Sequence, residues 1–140
     1  MNGPLDIKDV VDRGKPNSER IPILVNEDFY LQYQWIGLGI KQPEQKIFPI
    51  NDNCLWLGSG QVYKGDWIFV YTGKGNPTTT PIPSQDSKIY TVHWNRSTTL
   101  FNSAEIHPYL LDGGIILPPS FTPSPSLSEL LSSLGKDEEG

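Results

Sequence analysis

Residues 64–71 read KGDWIFVY, and they carry the strongest strand signal in the chain. The last five of these residues are apolar or aromatic without a break, which is typical of a strand covered on both faces. The glycine and aspartate before them supply a turn, and Gly73 interrupts the run. The stretch therefore predicts a central strand in an all-β domain.

Weaker strand signals precede this run. Residues 21–25 are apolar, and Leu31, Tyr33 and Trp35 then alternate with glutamines. A period of two places one set of side chains on a buried face and the other set in solvent. We expect Trp35 on the buried face, and we expect the two glycines that follow to end or bulge this strand.

Further strands are predicted on both sides of residues 64–71. Residues 47–50 and 54–57 are short apolar pieces, with a turn expected at 51–53. Residues 89–94 resume the alternating pattern, and a last strand surrounds Pro108, which places it at a sheet edge or a bulge. The sequence thus predicts a small antiparallel β-sandwich. Its core is expected to contain the large aromatic residues of these strands, namely Trp35, Trp56, Trp67, Phe69 and Trp94.

Composition narrows the range of functions. The 140-residue chain has a net charge of −5, whereas nucleic-acid binding normally requires a basic surface. Its single cysteine, Cys54, permits neither an internal disulfide nor a cysteine-based zinc site. No apolar run approaches the roughly 20 residues of a membrane span, and no signal peptide is visible. We expect a cytoplasmic protein without cofactor, membrane or nucleic-acid partner; a small-molecule ligand stays unknown.

Residues that suggest catalysis lack the spacing that catalysis requires. Gly73 and Gly75 flank a lysine, but a phosphate-binding loop places its lysine after the second glycine and before a helix. His93 and His107 have no nearby partner of metal-ligand spacing, and residues 51–53 lack the further acidic ligands of a calcium loop. We therefore expect no enzyme. A small hydrolase or nucleotide-binding protein that uses the polar loop 73–88 is the less favoured alternative.

Two segments resemble lamin-tail-like domains, which are compact immunoglobulin-type β-sandwiches. Residues 62–71 resemble a glycine-marked turn that leads into a hydrophobic central strand. Residues 101–113 resemble the polar turn, short strand and final turn that close such domains, although Ser103, Ala104 and Glu105 stand where the family usually has a Gly-Asp step. The resemblance implies a recognition or scaffold module without catalytic residues.

The C-terminal region has a different composition. Residues 118–126 are rich in proline and serine, which is typical of a semi-extended linker. Ser126 and Glu129 have the spacing of a helix-capping box, and Gly135 is placed to end the helix. Four leucines recur at helical spacing and form one apolar stripe: Leu127, Leu130, Leu131 and Leu134. So short a helix is not stable alone, so its leucines require a partner surface.

These patterns predict one compact domain with two flexible ends. The predicted units are a flexible N-terminal segment 1–20, a β-sandwich 21–117, a linker 118–126, an amphipathic helix 127–134 and an acidic tail 135–140. The aromatic residues Tyr63, Tyr71, Tyr109 and Phe121 lie near turns and suggest a recognition patch, but core or rim positions are the favoured interpretation for Tyr63 and Tyr71. We expect a non-catalytic protein-binding or scaffold module that contacts a partner or a second copy through its leucines. The alternative is a structural or accessory subunit of a viral or other large assembly.

Overall fold

The computed structural model of the protein describes residues 3–113 and 119–120, without the side chains of residues 51 and 52. Within this part of the chain the fold is all-β, and its only helical element is a short 3₁₀ turn, Pro43–Gln45. The strands are β1 Leu5–Ile7, β2 Arg20–Val25, β3 Phe29–Tyr30, β4 Gln34–Gln42, β5 Lys46–Trp56, β6 Gln61–Val62, β7 Trp67–Tyr71, β8 Thr78–Pro81, β9 Lys88–His93 and β10 Ile106–Asp112.

The strands form three sheets. A five-stranded sheet has the order β1-β2-β7-β9-β8, a three-stranded sheet has the order β10-β4-β5, and β3 pairs with β6 in a short ribbon. The run that dominates the sequence is β7, and its central position in the largest sheet confirms the prediction. Strand β10, which contains Pro108, lies at the edge of its sheet, as predicted, because proline cannot donate a ladder hydrogen bond.

The expectation of purely antiparallel pairing was wrong at one position. Strands β7 and β9 pair in parallel, from Trp67 with Ile89 to Tyr71 with His93. The reason lies within the polar loop 73–88, which contains the edge strand β8. The chain crosses to the sheet edge as β8 and returns beside it as β9, which therefore runs in the direction of β7.

The N-terminal residues also join the sheet. Strand β1 pairs with β2 through Leu5–Val25 and Ile7–Ile23, and Leu5 belongs to the buried core. The sequence analysis placed the beginning of the domain at Ile21. Three residues are too short for a period-two pattern to be visible, so only the pairing with β2 makes this strand recognisable.

The two larger sheets contribute to one hydrophobic core. Ile23 of β2 and Val70 of β7 belong to the same buried cluster as Ile36 and Leu38 of β4. Two loop residues complete it, since Trp94 and Phe101 are both buried. The burial of Trp94 confirms the prediction for that residue.

The prediction that Trp35 and Trp56 are buried was wrong. Strand β4 begins only at Gln34, after a turn in which the Gln34 amide donates to the Leu31 carbonyl. Gln34, Ile36 and Leu38 point to the core, so Trp35 points outward and is 36% exposed. Trp56 is the cross-strand neighbour of Trp35 and is 46% exposed.

Two further expectations concern β4 and β5. Of the two alternatives for Gly37 and Gly39, an end of the strand or a bulge, the structure shows the bulge, because both glycines lie within β4 and are paired on each side with a register shift between them. Residues 51–53 do not form a turn between two strands, because β5 is continuous from Lys46 to Trp56. The register shifts between Gly37 and Gly39, which are paired with Cys54 and Pro49, so the extra residues of β5 are accommodated as a bulge.

The outward face of β7 is only half-buried, contrary to the prediction that the strand is covered on both faces. Ile68 and Val70 point inward and are buried, whereas Trp67 and Phe69 are of intermediate exposure. The two outward rings shield each other in an edge-to-face contact with centroids 6.0 Å apart. The strand is therefore central in the sheet without being central in the core.

A buried carboxylate holds one end of the domain together. Glu19 is 1% exposed and lies directly before β2. Its two oxygens accept hydrogen bonds from the Thr72 hydroxyl at 2.8 Å, the Leu100 amide at 2.7 Å, the Phe101 amide at 3.2 Å and the Gly14 amide at 2.7 Å. The carboxylate thus joins three segments that are remote in sequence, and each of its bonds has an ionised acceptor.

Candidate functional site

The outer face of the three-stranded sheet exposes a row of large apolar side chains. Leu111 of β10, Trp35 of β4 and Trp56 of β5 are direct cross-strand neighbours. Their side chains are 48%, 36% and 46% exposed, in that order. Large apolar groups adjacent to one another on a surface are uncommon in proteins that bind nothing there. This row is the first part of the candidate site.

The Trp56 side chain is held in a defined position. Its indole nitrogen donates a hydrogen bond to the Gln32 carbonyl at 2.8 Å. The polar edge of this indole is therefore satisfied by the protein, while nearly half of its surface stays open to solvent. An aromatic ring that is fixed in advance loses little conformational entropy when another molecule covers it.

Two glycines explain why the face continues beyond this row. A Cβ at Gly37 would lie 2.3 Å from the Tyr109 ring, and a Cβ at Gly39 would lie 2.5 Å from the Ile47 side chain. The rings and chains of neighbouring strands therefore lie directly over bare backbone. Only glycine permits the Tyr109 and Ile47 side chains to pack this closely against the backbone of β4. These side chains therefore lie flat on the sheet, and the outer face stays apolar at this point.

Tyr109 extends across Gly37 to Cys54. Both residues are the register partners of Gly37, one on β10 and the other on β5, so they share its outer face. The pKa of the Tyr109 phenol is raised above its ordinary value, first because burial disfavours the phenolate and then because Cys54 lies beside it. The Cys54 side chain itself is exposed.

These residues form one continuous surface, which we call the outer strip: Leu111, Trp35, Trp56, Tyr109, Cys54 and Ile47. It follows β4 from Trp35 towards Lys41, a distance of about 20 Å at the rise of an extended strand. At its far end lies an open depression of about 510 Å³, lined by Ile47, Lys41, Lys46 and His107, among others. The outer strip is thus apolar along its length and has one lysine, Lys41, beside Ile47 at its far end.

A second apolar pair lies on the opposite face of the same sheet. Ile40 and Phe48 are cross-strand neighbours near the end of the β4–β5 hairpin, and they are 41% and 62% exposed. Ile40 and Phe48 lie on the same face of the sheet as the buried Ile36 and Leu38. Because Ile40 and Phe48 are exposed, the end of the hairpin extends beyond the hydrophobic core. This pair is a smaller apolar surface than the outer strip.

The two histidines contact different groups in the described part of the chain. His93 stacks on Tyr71 with ring centroids 5.5 Å apart, and a Cβ at Gly75 would lie 2.4 Å from its ring. His93 is half-buried, because Tyr71 and the loop that contains Gly75 lie against its ring. His107 lies 3.7 Å from Asp9 and 3.5 Å from Arg13.

The described residues contain no group of three or more histidine, cysteine, aspartate or glutamate side chains placed to hold a metal ion. They also contain no helix long and apolar enough to cross a membrane. The positions that suggested a phosphate loop lie between β7 and β8, where Gly75 packs on His93 and its amide donates to the Asn95 side chain at 3.1 Å.

Of the residues suggested as a recognition patch, the three that the structure describes have different surroundings. Tyr63 is exposed beside β6, Tyr71 packs on His93, and Tyr109 belongs to the outer strip. Phe121 lies outside the described residues, as do the predicted contact residues Leu127, Leu130, Leu131 and Leu134. Sequence reasoning missed Trp35, Trp56 and Leu111. The pattern that could have revealed them is the alternation within β4. If Gln34, Ile36 and Leu38 face the core, then Trp35, Gly37 and Gly39 face outward.

We compared the chain with models of protein families, with curated proteins and with solved structures, and none of the three comparisons gave a match. The class of protein is therefore defined by the chain's own geometry, which is that of a mostly-β protein with several sheets.

Proposed function

We propose that the chain is a non-catalytic protein-binding or scaffold module. It contacts a partner protein or a second copy through two apolar elements, the outer strip and the leucines at 127, 130, 131 and 134. The observation that supports this most directly is the exposed row of Leu111, Trp35 and Trp56 on a rigid sheet. Tryptophan is among the residues most enriched in the energetic centres of protein interfaces.

The fold proposal is more specific than all-β. Two sheets that share one core are the arrangement of a β-sandwich. We propose that this sandwich is of the immunoglobulin type, as in the lamin-tail-like domains that the sequence resembles. A turn held by Asp66 leads into β7, since its carboxylate accepts from the amides of Tyr63 and Lys88, each at 2.9 Å. The supporting features are this turn, the central strand and the closing edge strand β10.

The chemistry of the outer strip favours an apolar protein segment as its ligand. The strip presents carbon surface and fixed rings, with few hydrogen-bonding groups to select a polar molecule. Burying apolar area contributes about 25 cal/mol per Å², so covering two half-exposed indoles and a leucine supplies several kcal/mol before association costs. An amphipathic segment with apolar residues along one side would cover it best.

The direct test is quantitative capture from cells with variants of the full chain. Trp35→Ser combined with Trp56→Ser should reduce capture of the specific partner at least about thirtyfold, since the loss of a single hot-spot residue already costs about 2 kcal/mol. Partners are cross-linked in the cell and quantified by mass spectrometry. Tyr63→Ser, which removes an exposed aromatic ring off the strip, is the matched control and should retain capture.

Two results would count against the proposal. The first is that two variants, Trp35→Ser with Trp56→Ser and Leu130→Asp with Leu131→Asp, capture the same proteins as wild type in the same amounts. Neither apolar element would then mediate binding. If Phe48→Ser alone removes the partner, the contact lies on the opposite face of the hairpin. Circular dichroism of each variant establishes that the sheets remain folded.

A further inference from the structure

The chain leaves the described domain directly beside the outer strip. The Gly113 amide donates to the Tyr33 carbonyl at 2.7 Å. A Cβ at Gly113 would lie 3.6 Å from the indole nitrogen of Trp35. Because Gly113 follows β10, the rest of the chain begins next to Leu111 and Trp35, the two exposed residues at one end of the strip.

The sequence after Gly113 contains an apolar stripe of matching chemistry. Leu127, Leu130, Leu131 and Leu134 recur at the spacing that places side chains on one side of a helix. Eight residues at helical rise span about 12 Å, which fits within the roughly 20 Å of the strip. The residues from 114 to 126 can span about 40 Å when extended, so every part of the strip lies within reach.

We propose that the leucines at 127, 130, 131 and 134 of the same chain occupy the outer strip when no partner is bound. This inference rests on the proposed function, since it takes the strip to be a receptor for apolar segments. A partner segment of similar pattern then competes with the chain's own leucines for Trp35 and Trp56. Binding of the partner would release the C-terminal part of the chain from the domain.

Charge favours one direction of docking. Asp137, Glu138 and Glu139 follow the leucines, and Lys41, the register partner of Ile47, lies at the far end of the strip. The acidic residues therefore meet Lys41 when the leucines begin near Trp35 and proceed towards the hairpin. An exposed pair of this kind contributes about 1 kcal/mol or less, so charge sets the direction and the leucines supply the contact.

Attachment within one chain favours the chain's own leucines over those of a second copy. A short linker holds a tethered segment at an effective concentration of about millimolar. A second copy reaches that concentration only in very concentrated solution. Intramolecular occupancy should therefore be independent of protein concentration in the micromolar range.

The chain carries its own reporter of occupancy, because its single cysteine, Cys54, lies exposed on the strip. We compare the rate at which a maleimide modifies Cys54 in the full-length wild type and in the full-length variant Leu130→Asp with Leu131→Asp. If the leucines cover the strip, wild type should react about tenfold more slowly, which corresponds to 1.4 kcal/mol of docking free energy. Equal rates would overturn the inference.

The matched control is Ser132→Asp with Ser133→Asp in the full-length chain. These positions lie between the leucines and outside the apolar stripe, and the variant adds the same two charges. It should keep the slow rate of wild type. A fast rate in this control would show that charge alone, and not loss of the leucines, exposes Cys54.

Two further measurements separate the sources of protection. Protection of Cys54 that rises with protein concentration, together with a dimeric mass in light scattering, would assign the protection to a second copy and overturn the inference.

The second measurement tests the tryptophans. Trp35→Ser with Trp56→Ser should raise the rate of Cys54 modification when introduced into wild type and leave the rate unchanged when introduced into the leucine variant. If Cys54 is unprotected while partner capture still depends on both tryptophans, the inference fails and the proposed function stands. If Cys54 is protected but no partner protein is captured, the docking of the leucines stands and the proposed binding function fails.

Discussion

Two regions of this molecule reverse the usual distribution of side chains between interior and surface. Glu19 is an ionisable residue that is 1% exposed, whereas Trp35 and Trp56 are large apolar residues that are 36% and 46% exposed. Ionisable groups are almost never fully buried unless paired, and large aromatic groups are mostly buried. Each region therefore requires a physical explanation.

The explanations differ in where the compensating groups are found. The carboxylate of Glu19 receives four hydrogen bonds from its own chain, so the described fold accounts for its burial completely. Among the described residues, the tryptophans receive one hydrogen bond, at Trp56, and large parts of both rings stay exposed. The fold thus accounts for the first departure, and the second is the observation on which the proposed contact with another segment or molecule rests.

The largest effect should come from removing the buried carboxylate. Glu19→Ala leaves the amides of Gly14, Leu100 and Phe101 without their acceptor, and each unsatisfied buried group costs about 1–3 kcal/mol. We expect the free energy of unfolding to fall by about 3–5 kcal/mol. Urea denaturation followed by circular dichroism measures this change.

Glu105→Ala serves as the control for Glu19→Ala, because Glu105 is an exposed carboxylate of the same end of the domain. It should change the free energy of unfolding by less than about 0.5 kcal/mol. A Glu19→Ala variant that is as stable as Glu105→Ala would show that water replaces the four hydrogen bonds equally well. The buried Glu19 carboxylate would then not stabilise the fold.

The next effect concerns a tryptophan that the protein covers itself. Trp67 is half-buried and packs edge-to-face on Phe69, so Trp67→Ala removes both area and a ring contact. We expect a loss of about 2 kcal/mol, which is less than the roughly 3–5 kcal/mol of an emptied aromatic core site. Thermal unfolding of the variant tests the value, and a loss above about 4 kcal/mol would place Trp67 in the core.

The sequence predicted those parts of the fold that local chemistry determines. The apolar run of β7, the turn at Gly65 and Asp66, and the edge position of the strand with Pro108 are all present. The parallel pairing of β7 with β9 was not predicted, because a strand's direction depends on where the intervening chain travels. Edge strand β8 has exposed residues on both faces, so no apolar pattern marks it.

The candidate site was harder to predict than the fold. Leu31, Tyr33 and Trp35 form an apparent alternation, but the turn before Gln34 shifts the strand and reverses the faces. Gly37 and Gly39 were expected to end or bulge the strand, and the register shift between them is the bulge. The Tyr109 and Ile47 side chains that lie over these glycines come from other strands, so the sequence did not reveal that contact. The burial of Glu19 likewise depends on partners that lie more than fifty residues away.

A smaller effect should come from the exposed tryptophans. Trp35→Ala and Trp56→Ala should each lower the free energy of unfolding by about 1 kcal/mol or less, because little area is lost from the core. Trp56→Ala should cost slightly more, since it also removes the hydrogen bond to Gln32. Thermal unfolding of both full-length variants beside Trp67→Ala gives the comparison. If either cost exceeds that of Trp67→Ala, the outer strip is a structural surface and not a binding surface.

The smallest effect is a pH dependence that arises on the strip itself. Burial and the neighbouring Cys54 raise the pKa of the Tyr109 phenol above its ordinary value of 10.0. The unfolded chain therefore loses this proton at a lower pH than the folded chain does. The contribution of Tyr109 to stability is complete below pH 10.0 and is lost as the pH rises towards the folded pKa.

Tyr109→Phe should therefore reduce the fall in melting temperature between about pH 9 and pH 11, because the phenol no longer opposes folding in its ionised form. Cys54→Ala should reduce it by a smaller amount, since burial is the first cause of the shift and Cys54 the second. Burial also raises the pKa of Tyr90, so part of the fall should persist in both variants and be removed by Tyr90→Phe. A Tyr109→Phe variant with the pH profile of wild type would mean that solvent reaches the phenol freely. Tyr109 would then not lie closely over Gly37, and the outer strip would be interrupted between Trp35 and Ile47.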